Sequence, residues 1–173
     1  MIRDLRIVPV LEDEWREVAA VRVGEPEVAG EGPASYVLAE DAGRRLRIDL
    51  FADRSRWIYV ATEAIRWRGW IVVGFGYDVC LIDPVSRQVR TLPLAMYFSE
   101  FATGADYLIV ASGIGLTRVD PAGEVVWCNE EVAVDGIRID TISEGVISGD
   151  AEHDPPGDWR PFRVDLETGR QLA

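Results

Sequence analysis

Three stretches of this chain share one local pattern: Cys80-Leu81-Ile82-Asp83-Pro84, Thr117-Arg118-Val119-Asp120-Pro121 and Phe162-Arg163-Val164-Asp165-Leu166. Each follows an apolar segment and leads into a turn and another short strand. Asp83 and Asp120 are 37 residues apart, and Asp120 and Asp165 are 45 apart. A recurrence at that distance restricts the fold more than any other feature of the chain.

The interval matches the roughly 40 to 45 residues of a four-stranded propeller blade. From Ser35 onward short strands alternate with Gly, Pro and Asp turns, which is the pattern of an all-β chain. Tyr36–Ala39 and Arg45–Phe51 flank a hairpin turn at Gly43, and Leu46, Ile48 and Leu50 alternate with Arg45, Arg47 and Asp49 to give one buried and one wet face. Further strands are expected over 56–62, 64–67, 69–75, 77–82, 88–92, 106–112, 115–120, 124–128, 136–142, 145–149, 160–165 and 170–172. The repeated unit reads as an apolar strand, a tight Gly turn, a strand ending in Asp, a β-turn and a third strand. Asp41, 42 residues before Asp83, marks a degenerate first repeat.

The fold expected is therefore all-β: antiparallel β-meander repeats in about four propeller-like units within a single domain, 1–173. Closed propellers use roughly four to eight blades, so the units form an incomplete propeller, a sheet that curls, or a ring closed by another copy of the chain. Residues 1–35 are the least regular part and the expected cover for an open edge, with 36–173 as the meander. Within them Leu11, Trp15, Val18 and Ala19 have helical spacing, whereas Val18, Val21, Val23 and Val28 favour strands. A short helix over about 11–20 competes there with extended chain.

Leu81-Ile82-Asp83-Pro84, the run from Arg118 to Trp127 and the run from Val164 to Arg170 resemble the repeats of quinoprotein-like and WD40-like propellers, in which strand-Asp-x-x-x-Gly turns recur. The stretch Asp154-Pro155-Pro156-Gly157-Asp158-Trp159-Arg160-Pro161-Phe162 is similar to one carried by small bacterial proteins of unassigned function. The resemblance spans 69–173; it implies a propeller-like fold and no particular activity. It does not imply a quinone, because the chain lacks the length of the enzymatic propellers and shows no metal-ligand set.

Composition removes several chemistries. All 18 basic residues are Arg, so Schiff-base chemistry and a P-loop lysine are excluded. Against them stand 30 acidic residues, a net charge of −12, which repels phosphate backbones and attracts cationic proteins. No apolar run reaches the roughly 20 residues of a membrane span, and the charged start at Arg3, Asp4 and Arg6 lacks the form of a secretory signal. A soluble, cytoplasmic protein without nucleic-acid or membrane partners is expected. Cys80 and Cys128, 48 residues apart, fit neither a zinc motif nor a disulfide scaffold and read as two buried, reduced thiols.

No motif specifies a reaction. His153 is the single histidine, and Ser112 in Ala111-Ser112-Gly113 lacks the nucleophile elbow and its following helix. Gly74-Phe75-Gly76 and Gly113-Ile114-Gly115 sit at strand ends without opening a helix, so they read as hairpins and not as a dinucleotide site. Asp150, Glu152 and Asp154 occupy positions one, three and five of a calcium loop, but Pro155 and Pro161 stand where Gly and Glu belong. They remain candidates only for a looser cation site, and no cofactor is expected. Paired carboxylates such as Glu130 with Glu131 leave open a small hydrolase or sugar-binding protein using Trp and Tyr stacking.

Among six tryptophans, Trp57, Trp70 and Trp127 lie in apolar strands and read as core. Trp159 lies in a polar, proline-stiffened loop beside Arg160, where scaffolds usually present recognition residues. Asp154, Asp158, Trp159 and Arg160 are thus the expected partner-binding residues. With the charge and the missing catalytic groups they point to a non-enzymatic, immunity-type module for a basic protein partner.

Overall fold

In a computed structural model, residues 4–25, 30–41, 43–51 and 61–173 are described. The strands come in four groups. The first sheet contains β1 (Asp4–Val8), β2 (Ala20–Val23), β3 (Ser35–Asp41) and β4 (Arg44–Leu50), in the order β1-β3-β4-β2. The second is β5 (Thr62–Trp67), β6 (Trp70–Phe75), β7 (Asp78–Ile82) and β8 (Val89–Pro93), and the third is β9 (Phe98–Thr103), β10 (Leu108–Ser112), β11 (Leu116–Val119) and β12 (Val125–Asn129). The last holds β13 (Ile137–Ser143), β14 (Val146–Glu152) and β15 (Trp159–Asp165), with one further bridge between Val164 and Gln171. Every strand pair is antiparallel except β2 with β4, which is parallel, and the last three sheets are simple meanders.

Alternation along the strands decides how the sheets stack. Ile71, Val73 and Phe75 of β6 pack with Val37, Ala39 and Ile48 of the first sheet, while Val72 faces the other way toward Phe98, Leu108 and Val110 of the third. Ile109 and Ala111 of β10 then meet Ile137, Ile147 and Phe162 of the fourth. A strand buried on both faces needs a continuous apolar run, which is why β6, β7 and β10 are almost wholly buried. The three apolar clusters join consecutive sheets only; among the described residues none joins the first sheet to the fourth. The stack is an open, incomplete propeller-like array with β1, β5, β9 and β13 innermost.

The repeating aspartates close the turn after the third strand of a sheet. Asp83 Oδ1 accepts the amides of Val85 and Ser86, Asp120 Oδ1 that of Glu124, and Asp165 Oδ1 the amide and hydroxyl of Thr168. The Asp120 and Asp165 turns are also gripped by the preceding sheet. Trp70 Nε1 donates to Pro121 O and Arg90 to Gly123 O; Trp127 Nε1 and Arg118 both donate to Leu166 O. Trp70 and Trp127 are therefore half-buried: each packs against a core cluster, as expected, and also clasps the next sheet through its indole nitrogen. The strand expected over 56–62 and Trp57 within it fall largely outside the described residues.

Three expectations change. Asp41 ends β3, the second strand of its sheet, so it is not the counterpart of Asp83, which follows a third strand. The helix over 11–20 is replaced by a single 3-10 turn, Asp13–Trp15, followed by β2, because Val21 and Val23 bury one face of an extended chain against the first core. Residues of the 1–35 stretch supply both edge strands of the first sheet, and Trp15, 2% exposed, lies against the Arg45 guanidinium at 5.1 Å, while Arg45 and Arg47 donate to the carbonyls of Glu14 and Arg16. That segment covers the arginine-bearing face of β4.

Candidate functional site

One rim of the array carries the β6–β7, β10–β11 and β14–β15 connections, and a backbone chain runs along it. Phe98 N donates to Gly76 O at 2.7 Å, Gly113 N to Tyr97 O at 2.9 Å, Gly136 N to Gly113 O at 2.7 Å and Glu152 N to Gly136 O at 2.9 Å. β9 and β13 are thus each pinned at their start by the hairpin tip of the preceding sheet. The β14–β15 connection, 153–158, is the longest of the three and accounts for the wider last interval of the repeat.

Asp154, Asp158, Trp159 and Arg160 all belong to this loop or to the first residues of β15. The loop is held from below: His153 N donates to Asp158 O at 2.9 Å, and Gly157 N donates to Glu152 Oε1. Arg160 pairs with Asp158, and Asp154 is exposed. Trp159 is 46% exposed, yet it is seated: a Cβ on Gly136 would stand 2.9 Å from its ring and 3.5 Å from Glu152 Oε2. The glycine at 136 is what lets indole and carboxylate approach the backbone there. Beside them Val134 is 52% exposed, and Tyr97 Oη donates to Asp135 Oδ1 at 2.9 Å. Burial, and then the neighbouring Asp135 carboxylate, push the Tyr97 hydroxyl up to about 12, so it remains a donor throughout the physiological range.

The looser cation site is not assembled. Asp150 is ion-paired with Arg138, Glu152 is occupied by the Gly157 amide and Asp154 points to solvent; among the described residues no group of three or more His, Cys, Asp and Glu side chains is placed to hold a metal ion. Ser112 Oγ is buried and hydrogen-bonded with Gly115, a hairpin role. Cys80 is buried, and burial raises its thiol to about 11. Cys128 is exposed, contrary to expectation, because it lies on β12, the outer edge strand of its sheet.

Two carboxylates not singled out in the sequence stand on inner strands. Glu63 of β5 accepts the amide of Phe101 in β9, and Glu100 of β9 accepts that of Ile139 in β13. The same clasp is used at two successive sheet junctions. Burial raises both carboxyls above the ordinary value of 4.5, with Glu63 adding to the effect at Glu100. In that window the folded chain holds more protons than the unfolded one, so their contribution to stability falls as pH rises from 4.5 through their folded values. Glu63→Gln and Glu100→Gln keep an oxygen acceptor and remove the charge. Melts between roughly pH 4 and 8 should show a flatter profile for both variants and a neutral-pH melting temperature no lower than the parent's. A neutral-pH loss in both would show that the ionised form is what the clasp needs. Only their spacing of 37 residues, close to the repeat, could have signalled these groups in advance.

No family model matches the sequence, and no curated protein matches it. Solved structures do. The apo form of AztD from Citrobacter koseri superposes with a TM-score of 0.52 at 14% identity, over 82% of this chain and 42% of that one. BamB from Moraxella catarrhalis superposes with a TM-score of 0.56 at 13% identity, over 100% of this chain and 51% of that one. The chain thus spans about half, or less, of the length of these structures. Identity this low speaks for backbone architecture and not for ligands. Four stacked sheets, joined face to face and pinned by recurring turn clasps, give the chain a propeller-like repeat fold, the backbone architecture in which it superposes on AztD and BamB.

Proposed function

We propose that the chain is a non-enzymatic binding module that docks a basic protein partner on the rim formed by Asp154, Asp158, Trp159 and Arg160. The observation that carries this reading is Trp159: a large aromatic side chain half in solvent, yet held in one place by Gly136, next to an exposed Val134. A preordered indole loses little freedom on binding and supplies apolar contact at the centre of an interface. The net charge of −12 speeds encounter with a cationic partner and disfavours an acidic one. An immunity-type role, occluding a cationic toxin, is the finer form of this reading and draws on charge and size.

The alternative of a small hydrolase or sugar-binding protein would draw on Glu63 and Glu100, the two inner-strand carboxyls with raised proton affinity. Each is engaged by a backbone amide of the neighbouring sheet, which favours a structural role for both.

An oligoarginine peptide serves as the test partner. Its affinity should fall steeply with added salt, Asp154→Asn with Asp158→Asn should slow association, and Trp159→Ala should cost about 2 kcal/mol or more, mainly through faster dissociation. Binding that ignores salt, or that is unchanged in the Trp159 variant, would remove the reading.

A further inference from the structure

Glu152 is a second unusual group on the same rim. It is 8% exposed, one of three polar or charged side chains buried among the described residues. Its Oε1 accepts the Gly157 amide, whereas Oε2 has no donor among the described residues and lies over Gly136 together with the Trp159 ring. Asp135, next in sequence to Gly136, receives the Tyr97 hydroxyl on Oδ1. Oε2 retains contact with solvent, so a donor from another molecule can reach it. The group that suits it is positive and planar enough to lie against the half-exposed indole.

We infer that Tyr97, Asp135, Gly136, Glu152 and Trp159 form a receiving slot for a single arginine side chain of the partner, its guanidinium stacked on the Trp159 indole and donating to Glu152 Oε2. This deepens the binding reading proposed above and rests on it. Guanidinium fits better than ammonium for three reasons. It stacks on an aromatic face, it is more weakly hydrated and so loses less on leaving water, and its forked donors can serve a carboxylate and a neighbouring acceptor at once. The rest of the rim is suited to admit it. The loop's own cation, Arg160, is paired with Asp158, and Arg138 is paired with Asp150 and Asp140. Gly136 lets the Trp159 ring and Glu152 Oε2 close on one point, 2.9 Å and 3.5 Å from where a Cβ would stand. The acidic field of the chain then selects the charge of the partner, and the slot selects one residue within it.

The probes are a capped Gly-Arg-Gly peptide, its citrulline counterpart, which has the same shape without the charge, and its lysine counterpart. Amide shifts of Gly136 and Gly157 and the Trp159 indole signal, assigned with Trp159→Phe, report occupancy. The arginine peptide should shift these signals saturably, with the citrulline peptide at least about tenfold weaker and lysine between the two. Glu152→Gln keeps an acceptor for Gly157 while removing the charge, and should weaken arginine about tenfold; Asp135→Asn provides an independent variant that keeps an acceptor for Tyr97. Equal binding of citrulline, tighter binding of lysine, or full arginine affinity in both Glu152→Gln and Asp135→Asn overturns the slot. If the slot fails while the oligoarginine peptide still needs Asp154, Asp158 and Trp159, the broader docking reading stands alone; if the oligoarginine peptide is also indifferent to those residues, both fall.

Discussion

Phe98→Ala should lower the stability of the fold by about 3–5 kcal/mol, the usual cost of emptying a fully buried aromatic site, and chemical denaturation will read it directly. Phe98 is completely buried where the second sheet meets the third, among Trp67, Val72, Leu81, Leu108 and Val110, with its ring centroid 4.5 Å from that of Phe101. It also lies flat over the backbone of β6: a Cβ on Gly74 would stand 2.5 Å from the Phe98 ring. The glycine and the phenylalanine are one device, the first leaving the space that the second fills. Gly74→Ala alone should therefore destabilise through overpacking, and much of that penalty should vanish in the Phe98→Ala background, where the methyl occupies vacated volume. Additive losses in the double variant would show that the ring and the glycine act independently. Because among the described residues no apolar cluster bridges the first sheet to the fourth, this junction carries the apolar contact between the two halves of the array, and weakening it loosens both.

Gly169→Ala is expected to do comparable damage at the opposite rim. Gly169 has φ of 71°, a region that costs an L-residue about 1–2 kcal/mol. In addition a Cβ would stand 2.6 Å from the Trp127 indole, and relieving such an overlap typically costs about 1–3 kcal/mol more. The displaced indole donates to Leu166 O at 3.0 Å, the same carbonyl that Arg118 holds at 3.1 Å, so the clasp between third and fourth sheets loosens as a unit. The melting temperature should fall and the Trp127 indole proton should exchange faster. In a Trp127→Phe background the steric part of the cost should shrink and the backbone part remain. A Gly169→Ala protein as stable as the parent would mean that the turn can be rebuilt without its grip on β12. Gly123 repeats the arrangement one sheet earlier, with φ of 82° and with Leu81, Arg90 and Trp70 closing around it.

Much of this architecture is readable before folding. Apolar runs at 69–75 and 106–112 announce strands covered on both faces, and β6 and β10 are those strands. The recurring aspartates announce turns, and each one does turn its carboxylate onto the amides that follow. What escaped was the innermost strand β9. In Phe98-Ser99-Glu100-Phe101-Ala102-Thr103 neither alternating face is uniformly apolar, since one carries Glu100 and the other Ser99 and Thr103. An inner strand lies where neighbouring sheets converge, and its polar groups are satisfied by them: Glu100 by Ile139 N, and Ser99, which donates to Ile137 O. Periodicity within a segment cannot register partners that lie about forty residues away.

The same limit divides the rim. That the Asp150–Arg160 segment interrupts the repeat, and that Trp159 sits in it beside prolines and charge, is plain from residue order. That Glu152 is buried, that it supports Gly157, and that Gly136 opens the space in which Trp159 and Glu152 meet is not, because it depends on the start of β13 being pinned to the tip of β10–β11. Cys80 and Cys128 make the point in miniature. Both sit in apolar local contexts, but one is on a central strand and the other on an edge, and only sheet order separates buried from exposed.

Local chemistry by itself determined the all-β class, the Asp-marked turns, the absence of lysine and the acidic field, because each depends on residue type and on neighbours a few positions away. Tertiary structure decided which strands are innermost, that the four sheets stack openly, and that a buried carboxylate and a half-exposed indole share one glycine. Those outcomes depend on which sheet faces which, and a repeat read along the chain measures distance in residues, while burial and pairing are settled across the space between sheets.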